Sequence, residues 1–268
     1  MINKRIRRLR NSLGFGVQSP NDFYFVQHVL REKWPYYGYN ALHLLMDTTI
    51  SLPHYPERIS RLLLRLANHI QPQIIIEIGT GAGISACAMT MGCTASECTT
   101  IDRKLSHELL EKRNILLAKY PQIKAINGDE LELFKQTLQS KGRVDLLHVA
   151  HTPYYKEAVE TALPYICDKS LFIIEGIDQD EAKQRWWRDL QEHIQTCICY
   201  DLKNVGLLFF DKARYNNSYK AFFADVEKWV AADGDTYAYS HTSENVNSGK
   251  TALSAGFVPA GETEKIQN

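Results

Sequence analysis

The chain has 268 residues, which suits one larger domain, or one domain with an added terminal piece. Apolar residues make up 44%, enough for a full core, and 31 Lys plus Arg balance 31 Asp plus Glu. That balance gives no support for bulk attraction to nucleic acid or an anionic membrane surface, and no run approaches the roughly 18 apolar residues of a membrane span.

In chain order, residues 4–10 (KRIRRLR) form a basic arm with no apolar region behind it, so it does not read as a secretory signal. Lys4, Arg5, Arg7, Arg8 and Arg10 fit a solvated helix face better than a nucleic-acid contact, because no comparable basic patch with interleaved aromatics follows. In SPNDFYFVQHVLREKW (19–34), Ser19 can cap a helix and Pro20 can occupy its first turn; Phe23, Val26, Val29 and Leu30 then fall at helical spacing. PYYGYN (35–40) supplies Tyr36, Tyr37 and Tyr39 as an aromatic cluster. A second helix is expected over 56–70, with the stripe Ile59, Leu62, Leu63, Leu66 and Ile70.

From residue 74 strands and helices alternate. The expected strands are IIIEI (74–78), CTTID (98–102), IKAING (123–128), VDLLHVA (144–150) and LFIIE (171–175), each followed by a helical pattern. Near-continuous apolar strands separated by helices indicate a parallel sheet covered on both faces. TCICYDL (196–202) and VGLLFFD (205–211) are separated only by Lys203 and Asn204, too few residues for a crossover helix, so these two strands should pair antiparallel. An amphipathic helix with Tyr219, Phe222, Phe223, Val226, Trp229 and Val230 on one side is expected next. After it comes a polar, Gly/Ser-rich tail that is expected to be poorly ordered. The six cysteines, Cys87, Cys93, Cys98, Cys167, Cys197 and Cys199, match neither a zinc spacing nor a disulfide scaffold; reduced thiols in a cytoplasmic protein are expected.

The chemistry concentrates at three successive strand ends. EIGTGAGIS places Gly79, Gly81 and Gly83 after the first strand, where bare backbone can approach a ligand and helix-start amides favour a polar or anionic group. Glu77 precedes that turn and could order the loop or take a ligand's ammonium through water. Asp102 ends the next strand, where a carboxylate can accept both hydroxyls of a ribose. Gly128 and Asp129, in INGDE, end the third, with Asp129 able to reach an adenine amino group.

EIGTGAGIS, TTIDRK and INGDE, in this order and spacing, resemble the cofactor motifs of class I S-adenosylmethionine-dependent methyltransferases over about residues 56–212. GFGVQSP, WPYYGY and NVGLLFFDKARYNNSYKAFF resemble an uncharacterised bacterial group akin to the catechol O-methyltransferase-like branch. The resemblance implies an α/β Rossmann-like fold with a seven-stranded, mostly parallel sheet, an antiparallel terminal hairpin and an N-terminal helical cap. It divides the chain into a cap (1–55), a methyltransferase domain (56–232) and the tail (233–268). It further implies S-adenosylmethionine as cofactor: Glu77, Gly79, Gly81 and Gly83 around its methionine part, Asp102 on its ribose, and Gly128 and Asp129 near its adenine. Because the N-terminal segment often covers the active site in this fold class, Tyr36 and Tyr37 are expected at the substrate pocket. The resemblance is compatible with a homodimer.

Metal-dependent members place an aspartate after the fourth strand and an acidic pair after the fifth. Here Ala150 stands at the first position, and Glu175 is followed by Gly176 at the second. No family-type metal site is therefore expected. His151 is the candidate general base, since histidine titrates near neutral pH, and Tyr154 and Glu175 are candidate pocket residues. His148, in mid-strand, reads as a satisfied core histidine, and Trp186 and Trp187 read as packing residues. The reading is an S-adenosylmethionine-dependent methyltransferase acting on a small-molecule substrate. The alternatives are a non-catalytic paralogue that binds S-adenosylmethionine or S-adenosylhomocysteine, and a nicotinamide-dependent oxidoreductase. The last rests on GAGISA alone and is weakened by the hairpin.

Overall fold

Strands β1 (Ile74–Ile78), β2 (Glu97–Arg103), β3 (Ile123–Gly128), β4 (Val144–Val149) and β5 (Ile166–Glu175) pair in parallel, in the spatial order β3-β2-β1-β4-β5. The computed structural model describes residues 19–48, 55–103, 105–193, 198–211 and 217–220. The basic arm, Cys197 and the tail from 233 lie outside the described residues.

Side chains alternate across a strand, and here both faces are apolar. Ile75, Leu146 and Ile173 join one core, while Ile76, Leu147, Phe172 and Ile174 join the other. Helices must cover both faces of such a sheet. The connecting helices are α4 (Ile84–Gly92), α5 (His107–Leu117), α6 (Glu130–Lys141), α7 (Tyr155–Ala162) and α8 (Glu181–His193), and they follow the alternation expected from the sequence. No helix among the described residues is long and apolar enough to cross a membrane.

The hairpin is present. β7 (Val205–Phe209) lies antiparallel between β5 and β6 (Ile198–Asp201), and Lys203 makes the tight turn with a φ of 80°. The sheet carries one strand more than the expected seven. β8 (Asn217–Lys220) adds in parallel to β6. The amphipathic helix expected here is thus corrected at Tyr219, which lies on β8; its other residues, from Phe222 on, lie outside the described ones. The open edge of β6 offers backbone partners to any short apolar–polar segment beside it, and helical periodicity does not register that pull.

Ahead of the sheet come α1 (Pro20–Phe25), which runs into a π-helical turn (Val26–Leu30), then α2 (Tyr37–Thr48) and α3 (Glu57–Ile70). Ser19 caps α1 by accepting from the Asp22 amide. The buried guanidinium of Arg65 on α3 donates to the carbonyls of Val29 (2.8 Å) and Leu30 (3.4 Å) and to the Tyr39 hydroxyl (2.7 Å). It satisfies carbonyls at the end of the π turn that have no helical partner. Phe25, Leu30 and Leu42 enter the same core as α3 and α4.

Gly206 on β7 shows how tightly α8 is seated. A Cβ there would approach the Trp187 ring to 2.5 Å, and Trp187 is 2% exposed. Gly206→Ala is expected to lower unfolding free energy by about 1–3 kcal/mol, the usual range for an overpacked core. Urea denaturation measures this, and an unchanged midpoint would mean that the indole yields freely.

Candidate functional site

Parallel pairing aligns one polar residue on each of the central strands. Glu77 is in register with Thr100 on β2 and with His148 on β4. His148 is in register with Ile173, so Glu175, two positions on, points to the same face. A polar row therefore crosses an otherwise apolar core near the carboxyl ends of the strands.

The row is hydrogen-bonded throughout. His148 contacts Glu77 Oε1 through Nδ1 and Glu175 Oε1 through Nε2, both at 2.8 Å, and is fully buried. Burial alone would lower the His148 pKa, but the hydrogen bonds and charges of Glu175 and Glu77 outweigh it and raise the group to about 9. At neutral pH it is an imidazolium, and both ring N–H groups donate. Burial alone would raise the Glu175 carboxyl; His148 prevails and holds it below the usual range. Tyr55 donates its hydroxyl to Glu175 Oε1, and burial beside that carboxylate pushes the phenol well above its ordinary pKa. At the other end the Thr100 hydroxyl donates to Glu77 Oε2 and is hydrogen-bonded at 2.5 Å to Thr80, inside the glycine loop.

The loop leaves the sheet where the chain order reverses, between β1 and β4, the usual ligand crevice of a doubly wound sheet. Gly79, Gly81 and Gly83 take φ values of 93°, 51° and 82°. At Gly79 a Cβ would lie 3.0 Å from the His151 amide nitrogen, so absence of a side chain lets two strand ends close together. At Gly81 a Cβ would meet nothing within 4 Å among the described residues, so none of them fills the space over the loop. Gly83 begins α4 with no side-chain cap, leaving first-turn amides for a ligand or water. Asp102 ties the second strand end to this loop. Its Oδ2 accepts from the Gly81 amide at 3.0 Å and lies 3.4 Å from Arg113, while Oδ1 accepts from the Arg103 amide at 2.9 Å. Burial raises the Asp102 carboxyl and lowers the Arg113 guanidinium, so desolvation outweighs their mutual attraction.

These features fit an adenosine-type cofactor with one adjustment. A carboxylate has about four acceptor positions, of which Asp102 has engaged three. Two ribose hydroxyls would have to displace the long Arg113 contact or share with Gly81.

The structure brings Gly79, Gly81, Gly83, Asp102, His151 and Glu175 together. The Nε2 of His151 lies 3.6 Å from Glu175 Oε2, and its side chain is 70% exposed. Tyr154 follows in the same loop, exposed at the start of α7. Glu77 lies beneath the loop with both oxygens engaged, so it acts on the loop through Thr100 and Thr80 and does not face the crevice. Asp129 caps α6 by accepting from the Glu132 amide at 3.0 Å, and Gly128 closes β3 beside Arg103. The acid turned inward at this strand end is the neighbour, Glu130, which accepts from Thr152 at 3.0 Å and is raised by burial.

The placement of Tyr36 and Tyr37 at the pocket is corrected. Tyr37 donates to the Met91 carbonyl at the far end of α4, about 12 Å along that helix from Gly83. Tyr36 stacks on Tyr39, which Arg65 holds against α3. A tyrosine that reaches the polar row is Tyr55. No local pattern marked it, because its partner Glu175 is 120 positions away.

No protein-family model matches the chain, and no curated protein matches its sequence. Solved structures do match. The SAH-bound methyltransferase PaMTH1 of Podospora anserina aligns with a TM-score of 0.55 at 16% identity, over 73% of this chain and 97% of its own. The O-methyltransferase TomG of Streptomyces achromogenes, solved with SAM, aligns with a TM-score of 0.51 at 20% identity, over 71% and 95%. An O-methyltransferase of Bacillus cereus solved with SAH gives 0.50 at 12% identity, over 72% and 98%. The chain has the fold of these methyltransferases.

Proposed function

We propose that the chain is an S-adenosylmethionine-dependent methyltransferase for a small-molecule acceptor, working in the cytoplasm without the divalent-ion site of the metal-dependent enzymes. The observation that carries this reading is the coupling of Asp102 to the Gly81 amide across an open glycine loop at the sheet's reversal point. The SAM- and SAH-bound relatives in fold support the choice of cofactor.

Gly79, Gly81 and Gly83 would hold the cofactor's methionine part against bare backbone, Asp102 its ribose, and the Gly128–Asp129–Glu130 corner its adenine side. Bound there, the cofactor supplies an electrophilic methyl group. Glu175 would attract the Nε2 edge of His151, 3.6 Å away, leaving Nδ1 to take a proton from the acceptor. Tyr154 lines the same rim. A divalent ion is poorly served: Ala150 and Gly176 offer no ligating side chain, and Glu175 Oε1 already receives Tyr55 and His148. Magnesium takes six oxygen ligands in a strict octahedron.

Calorimetric titration with S-adenosylhomocysteine tests the reading. Wild type should bind, and Asp102→Ala should weaken binding about 5- to 150-fold, the equivalent of about 1–3 kcal/mol. No binding at millimolar ligand would refute it. The second reading, a binding protein without turnover, is favoured by the inward commitment of Glu77, His148 and Glu175. Formation of any methylated product that His151→Ala abolishes would exclude it.

A further inference from the structure

The end of β5 holds a cation of the protein's own. Gly176 has a φ of 65°, and a Cβ at that position would lie 3.4 Å from Lys183 Nζ and 3.2 Å from Gln179 Oε1. A metal ion ligated by a side chain at this position would stand about 4 Å from its Cβ, given oxygen–metal bonds of about 2 Å. The Lys183 ammonium thus stands about as close to position 176 as a metal ion held by a side chain there would.

Lys183 is 3% exposed. Its backbone is fixed in the first turn of α8, where its amide donates to Asp180 Oδ1 at 2.8 Å. Its ammonium lies 4.7 Å over the Tyr155 ring, and among the described residues it has neither a carboxylate within ion-pair distance nor a hydrogen-bond acceptor. Burial lowers its pKa, and the charges of Glu175 and Asp180 only partly offset that. An ammonium held by one aromatic face is short of protein acceptors, and Glu175, whose charge acts on it, also lies 3.6 Å from His151 Nε2.

We infer that Lys183 is the cation of the acceptor site: it fills the place left by Gly176 and receives an anionic oxygen of the acceptor, a phenolate or a carboxylate. The inference rests on the methyltransferase reading for the identity of the second ligand, but not for the oxyanion site itself. It also accounts for the missing ligands, since an ammonium and a divalent ion would repel each other at this distance.

The test uses the full chain saturated with S-adenosylhomocysteine. It is titrated with 4-nitrophenol, whose phenolate absorbs in the visible, and separately with benzoate by calorimetry. Wild type should take up at least one probe, the nitrophenol as its phenolate at a pH below that of free ionisation. Lys183→Met should weaken uptake at least tenfold and abolish the ionisation shift, Lys183→Arg should restore it, and both variants should bind S-adenosylhomocysteine within twofold of wild type. Which probe binds separates the two oxyanion sources. Equal uptake by Lys183→Met, or no uptake of either probe by wild type, overturns the inference. Lys183-dependent uptake in a protein that binds no S-adenosylhomocysteine would preserve the oxyanion site and remove the methyltransferase reading.

Discussion

His148→Leu is expected to lower the unfolding free energy by about 3–5 kcal/mol at pH 7, because it leaves two buried carboxylates without their shared cation. The leucine keeps the volume and removes the charge, so a cavity adds little to the loss. The pH dependence identifies the cause. The folded-state pKa of His148 is raised from 6.5 to about 9, so its contribution is fully present below about pH 6.5 and disappears as pH rises through 9. That shift corresponds to about 3 kcal/mol. Glu175 is depressed, so its contribution is present above the ordinary carboxylate range and is lost as pH falls through its lowered value. Chemical denaturation at a series of pH values should therefore show the gap between wild type and variant widest between about pH 5 and 8, narrowing toward pH 10 and in acid. A gap that stays constant across that series would mean that the imidazole matters for its shape and not its charge.

The same row of residues shows what the sequence could and could not reveal. The order of strands and helices was legible because it depends on local periods: apolar runs of strand length, helical stripes, and a two-residue gap at Lys203–Asn204 that only a hairpin can use. The glycine loop and Asp102 were legible because their spacing along the chain reflects one βαβ unit. The Tyr55–Glu175–His148–Glu77–Thr100 row was not. Each strand shows one polar residue in an apolar run, which alone reads as an isolated burial problem. Only register, fixed by the assembled sheet, sets Glu77 opposite both Thr100 and His148. Tyr36 and Tyr37 misled for the reverse reason. The fold class suggested the substrate pocket for them, but a buried arginine on α3 holds Tyr39, and Tyr37 reaches the Met91 carbonyl at the end of α4. Lys183 gave no signal, lying in a charged helix where a lysine is ordinarily solvated.

Two of the loop glycines should fail in opposite ways when substituted. Gly79 is closed in: its φ of 93° is a conformation that L residues rarely take, and a Cβ would press on the His151 backbone. Gly79→Ala is expected to cost about 1–3 kcal/mol of stability, with S-adenosylhomocysteine affinity falling less than tenfold, by way of the displaced His151. No described residue comes within 4 Å of a Cβ at Gly81, and its φ of 51° lies in the left-handed region that side chains tolerate at modest expense. Gly81→Leu should lose only about 1–2 kcal/mol of stability yet weaken S-adenosylhomocysteine on the order of 100-fold, or about 3 kcal/mol, since its side chain must stand where the ligand would lie. Denaturation and calorimetry on both variants separate the two effects. If Gly81→Leu bound the ligand as wild type does, the space over the loop would not be the cofactor's, and Asp102 would be a brace for the loop and nothing more. The predicted inversion between the two glycines follows if the ligand presses chiefly on Gly81, while Gly79 meets it only with backbone and also closes the joint between β1 and β4.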